Sequence, residues 1–157
     1  MTPSAATPSP AGPRPRAVDV AFWLLVVGAV LLVLNGLMAL TVTYDMARAM
    51  ASEGVTDEQV HNIVTFQRGV GVFSIVAGAL LGFLSGRTRK GDPRFRRATI
   101  AFAVAISFLI IGVAVLVQVV FVVALIAVLP IIFGAIALMR PPIAAWFESQ
   151  APRRADG

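Results

Sequence analysis

Charge is nearly absent from three stretches of this chain, Val18 to Val42, Gly69 to Leu84 and Ala98 to Met139, and is crowded into the segments between and around them. A run with so few charges has no polar face to turn to water. It must be buried in protein or in lipid. The last stretch is about 42 residues and would measure about 63 Å as one helix, twice the roughly 30 Å of a hydrocarbon core, so it holds two crossings. Hydrophobic residues make up 58% of the chain and charged ones 13%, against about 45–50% and about 25% in soluble domains. The expected fold is therefore all-α, a polytopic membrane protein with a four-transmembrane-helix bundle. One domain over residues 18–147 is expected, with spans at about 18–42, 63–86, 98–117 and 120–139, each close to the length that crosses a bilayer.

The charges between the runs set the orientation. The first loop, Thr43 to His61, carries Asp45, Glu53, Asp57 and Glu58 against Arg48 alone, while the second, Ser85 to Arg97, carries Arg87, Arg89, Lys90, Arg94, Arg96 and Arg97 against Asp92. Positive charge is retained on the cytoplasmic side during insertion, so the second loop is expected inside and the first outside. Arg14 and Arg16 before the first run, and Arg140, Arg153 and Arg154 after the last, agree. Both termini are expected in the cytoplasm, and the membrane is expected to be the plasma membrane.

Several boundaries carry their own signals. Residues 1–17 contain Pro3, Pro8, Pro10, Pro13 and Pro15 among small residues, the composition of a disordered tail with polyproline II character; residues 148–157 are expected to be a second such tail. The first apolar run exceeds the roughly 7 to 15 residues of a signal-peptide core, which reads as a retained anchor. Thr56-Asp57-Glu58-Gln59 has the form of a capping box, with two acids where the helix dipole favours them. The second helix is thus expected from Asp57 to Gly86, with two to three turns beyond the membrane. Gln118, near the middle of the long third run, places an outer turn at about Val117 to Val120, although no Gly or Pro marks it. Pro141 and Pro142 end the last span, and Ile143, Trp146 and Phe147 are expected to lie along the interface as a short anchor.

No constellation for chemistry accompanies the spans. The chain has no Cys and one His, His61, so thiolate chemistry and a His-based metal site are excluded. Nucleophile with base, paired carboxylates and a phosphate-binding glycine loop are all missing, and the acids are assigned outside the spans. An enzyme is not expected, nor a cofactor.

Packing residues are more prominent. Ser74, Gly78, Gly82 and Gly86 are spaced by four, with Gly71 on the neighbouring row. Small residues at this spacing form a flat stripe on which another helix backbone can close. Asn35 is an amide in the first span, with Gly36 beside it to give room, and needs a partner on another helix. It shares a heptad row with Ala21 and Gly28, a left-handed packing seam. Pro130 kinks the last span and frees the carbonyl of Ile126. Arg68 stands at the outer boundary of the second span, where it snorkels to the interface, pairs with Asp45 or Glu58, or holds an anion or lipid headgroup. Arg87, Arg89, Lys90, Arg94, Arg96 and Arg97 form a cluster able to bind anionic lipid as well as set orientation.

The opening Arg16-Ala17-Val18-Asp19-Val20-Ala21-Phe22-Trp23 and the stretch Phe66-Gln67-Arg68-Gly69-Val70-Gly71-Val72 resemble small four-span membrane proteins of actinobacteria, over about residues 14–140. The resemblance implies the four-span fold and no particular activity. The function expected from the residues is that of a non-enzymatic accessory, scaffold or regulatory subunit acting through helix packing. A small channel or carrier, or a protein that binds anionic lipid, is the alternative. The expected partners are the lipid bilayer, anionic lipid at the cytoplasmic face, and another membrane protein or a second copy; no nucleic acid is expected.

Overall fold

The computed structural model describes residues 15–117 and 122–150. Among them every regular element is helical: α1 Arg16–Thr41, α2 Tyr44–Met50, α3 Asp57–Arg89, α4 Pro93–Val117, α5 Val122–Met139 and α6 Pro141–Gln150. Four of these, α1, α3, α4 and α5, are long and apolar enough to cross a membrane. The chain is a multi-pass membrane protein by that measure, and its large side chains fit it. Trp23, Phe108, Leu116 and Phe133 are all well exposed, which only a lipid surround makes inexpensive.

The four helices form a ring in the order α3, α1, α5, α4. α1 is the hub, packing along its length against α3 on one side and α5 on the other, while α4 closes the ring more loosely. The reason lies in its seam. Val18, Ala21, Leu25, Gly28, Leu32, Asn35 and Ala39 are buried and alternate in steps of three and four, the spacing of knobs in a left-handed coil. α3 answers with Gly71, Ser74, Gly78, Leu81, Ser85 and Thr88, buried at the same alternation. α5 contributes Ala124, Ala127, Ile131, Gly134 and Leu138. Small residues dominate all three faces, so backbones approach closely.

The ends of the helices differ from expectation in instructive ways. α1 begins at Arg16, inside the expected tail; residues 1–14 and 151–157 lie outside the described residues, as does all but Val117, the last residue of α4, of the turn assigned to Val117–Val120 with Gln118. The expected cationic loop is barely a loop. α3 runs to Arg89 and α4 starts at Pro93, so most of its charges stand on helix ends. Gly91, at φ 89°, makes the sharp reversal that glycine alone adopts without steric cost. Its N–H reaches the carbonyl of Thr88 at 3.0 Å. Asp92 then caps α4 by accepting from the Arg94 N–H at 2.9 Å, with Pro93 preset for the first helical position.

At the opposite end the capping box forms as the sequence suggests. The Thr56 hydroxyl accepts from Gln59 N–H, and the Gln59 amide accepts from Thr56 N–H. The first turns of α3 do not stand alone, because α2, unforeseen from the sequence, folds against them and Val60 and Val64 are buried there. α6 also departs from the expected interfacial anchor. Ile143 and Phe147 are fully buried and join the core, leaving Trp146 half-buried.

Candidate functional site

The small-residue stripe divides into two parts. A Cβ at Gly78 would come within 2.7 Å of the Ala29 carbonyl oxygen and 2.8 Å of Val33 Cγ2, so this position is where α1 and α3 touch. Gly71 meets Gly36 in the same way, backbone to backbone. Gly82 by contrast has only Ala29 Cβ at 4.0 Å, and Gly86 has nothing within 4 Å. Steps of four in a helix of 3.6 residues per turn advance about 40° each, so the row rotates off the α1 contact and onto the outer surface. There Gly78 and Gly82 line the floor of a shallow groove walled by Val26, Val30, Val33 and Leu34 of α1. The packing stripe is thus part contact and part open face.

Asn35 finds the partner it needs. Its Nδ2 donates to the Ser74 Oγ at 3.4 Å, linking α1 to α3, and the two side chains are 6% and 7% exposed. The other buried hydroxyls turn back on their own helices. Ser85 donates to the Leu81 carbonyl, Thr88 to Leu84, and Ser107 to Ala103, satisfying them locally. Thr88 and Thr99 also share a hydrogen bond of 2.7 Å that ties α3 to α4.

The cationic cluster is largely structural. Arg89 donates to the Asp19 carboxylate at 3.0 Å and lies over the Phe22 ring at 4.6 Å, joining α3 to α1. Asp19 stands in the first turn of α1, which corrects the expectation that every acid lies outside the spans. Arg87 sits over Phe83 and Phe95. Arg96 has a different task. The carbonyl of Leu138 would accept from residue 142 of a continuing helix, but Pro142 has no N–H. Arg96 Nε supplies the bond at 2.9 Å and the guanidinium rests 5.7 Å from the Phe147 ring centre. The remaining three, Lys90, Arg94 and Arg97, are exposed. They make no ion pair among the described residues.

Arg68 is exposed on α3 and pairs with neither Asp45 nor Glu58. The acidic segment uses Arg48 instead, which donates to the Val55 carbonyl and lies 3.5 Å from the Asp57 carboxylate. A hydrogen bond to Asp57 pushes the Tyr44 pKa up. His61 is exposed, and among the described residues no three His, Cys, Asp or Glu side chains gather in a way that would hold a metal. No protein-family model matches the chain, and no curated protein or solved structure matches it.

Two structural pairings escaped the sequence. Asp19 with Arg89 is separated by 70 positions, and an acid inside an apolar run was the only sign of it. Arg96 with the Leu138 carbonyl was signalled by Pro142, which leaves an acceptor orphaned wherever it ends a helix.

Proposed function

We propose that this protein is a non-enzymatic accessory or scaffolding subunit of the plasma membrane, offering the α1–α3 groove to a transmembrane helix of another membrane protein or of a second copy. The observation that carries the reading is the open half of the small-residue stripe, where Gly82 and Gly86 face no close neighbour among the described residues. A flat strip beside a wall of valines is what a second helix backbone needs in lipid, where packing rather than water exclusion drives association. The orientation that follows from the basic cluster is N-in and C-in.

Exposed Lys90, Arg94 and Arg97 support a second role at the same end, contact with anionic lipid headgroups, at about 1 kcal/mol per basic residue near the surface. A channel or carrier has less support. The buried hydroxyls of Ser85, Thr88 and Ser107 are engaged by their own helix carbonyls, so among the described residues no polar file crosses the bundle. The resemblance to actinobacterial four-span proteins adds the same fold and no activity.

Photocrosslinking from Val30 on the groove wall, compared with Phe133 on a lipid-facing surface of α5, tests the groove in native membranes. A discrete protein adduct from Val30, lost in Gly82→Leu with Gly86→Leu, is the expected result. Lipid adducts alone from both positions would remove the groove as a partner site.

A further inference from the structure

A cavity of about 340 Å³ lies inside the bundle, walled by Leu32 and Asn35 of α1, Phe73 and Ser74 of α3, and Ile110 and Val113 of α4. Ser74 is about 22 Å along α3 from Arg89, so the cavity belongs to the membrane half remote from the cationic end. Phe73 and Leu109 flank it on α3 and α4 and are both half-exposed. The mouth therefore opens sideways between these helices, towards lipid.

Among the described residues the walls are apolar except for Asn35 and Ser74. Both are more than nine-tenths buried, and each has hydrogen-bonding capacity left over. The Ser74 oxygen accepts from Asn35 Nδ2, which leaves the serine O–H to donate, and among the described residues nothing receives it. The Asn35 Oδ1 likewise accepts from nothing among them. A donor and an acceptor thus sit side by side at the wall of an apolar chamber. Among the described residues the buried side-chain polar atom without any partner is Gln67 Oε1; the spare capacity of Asn35 and Ser74 faces the chamber they line.

We propose that this cavity is a binding site for an uncharged, lipid-soluble alcohol or phenol entering from the bilayer between α3 and α4. One hydroxyl satisfies both groups at once, donating to Asn35 Oδ1 and accepting from the Ser74 O–H, while an apolar body fills the space between Phe73 and Val113. Among the described residues no charged side chain lines the cavity, which selects a neutral head over a fatty acid or amine. Water fits poorly, because a water molecule needs two to four polar partners and most of the chamber offers none. A plain acyl chain fits the walls but leaves both polar groups unpaired.

The test uses the full chain in phosphatidylethanolamine and phosphatidylglycerol vesicles, with dodecanol carrying a diazirine and dodecane carrying the same group. After illumination, labelled residues are mapped by mass spectrometry. The alcohol is expected to label Phe73, Leu109 and Val113 about tenfold more than lipid-facing Phe133, the factor that one to two net hydrogen bonds supply. Unlabelled dodecanol should compete and dodecane should not. Ser74→Ala and Asn35→Leu should each bring the excess down to the alkane level, and Val113→Trp should fill the chamber and abolish it. If a variant fails to fold, the competition on the wild-type protein decides by itself. Equal labelling by the two probes, or equal competition by dodecane, would overturn the proposal and leave the chamber to ordinary acyl chains.

Discussion

At Gly78 a side chain meets the Ala29 carbonyl and Val33 at under 3 Å, and neither backbone can retreat without moving α1. Gly78→Leu is expected to lower the thermal stability of the detergent-solubilised protein by at least the 1 to 3 kcal/mol or so typical of overpacking. Gly86→Leu, with nothing within 4 Å, should leave the melting temperature unchanged and act only on association with other chains. Equal losses of stability at the two positions would abolish the division of the stripe. The Arg96 bond to Leu138 yields a second test. Pro142→Ala restores a backbone N–H opposite that carbonyl, so Arg96→Met should cost less in the Pro142→Ala background than alone. A coupling of about 1.5 to 3 kcal/mol is expected, the range for hydrogen bonds from charged donors, and a double-mutant cycle on unfolding free energies measures it.

Among the elements, those with a local chemical signature were readable in advance. Thr56 and Gln59 specify the start of α3 because the capping bonds close within four residues. Gly91 decides where α3 ends, and its φ of 89° makes Gly91→Ala cost about 1 to 2 kcal/mol. A matching drop in melting temperature, with none for Gly86→Ala, which has open space in a helix interior where Ala is favoured over Gly, is the expected outcome of a thermal scan. α2 was not readable. Seven residues with no buried side chain lack the apolar periodicity that announces a helix, and the Thr43 cap, the Arg48 bond to the Val55 carbonyl and contact with α3 hold it. α6 was misplaced for a related reason. Ile143, Trp146 and Phe147 suit an interface or a core equally well, and the choice fell to the space beneath α4 and α5, where Phe147 meets Arg96.

For the whole molecule, the charge asymmetry predicts which end faces the cytoplasm. Ser52→Cys in the acidic segment and Glu148→Cys on α6 are both exposed, so accessibility to reagent differs only by side. In intact cells an impermeant maleimide should modify Ser52→Cys and spare Glu148→Cys until the membrane is broken; the reverse pattern would invert the topology. The sequence by itself determined the four crossings, because hydropathy and length act locally and lipid imposes one solution on a long apolar run. It also placed Asn35 on a seam, since heptad spacing defines a helix face without reference to any neighbour. Which face meets which was decided only by tertiary structure. The ring order, the pairing of Asn35 with Ser74 rather than with another polar group, and the split of an even row of glycines into contact and open groove all depend on how helices distant in sequence cross. Residue spacing along one helix carries no information about the partner's register, and in lipid every apolar face is equally content until close packing selects one.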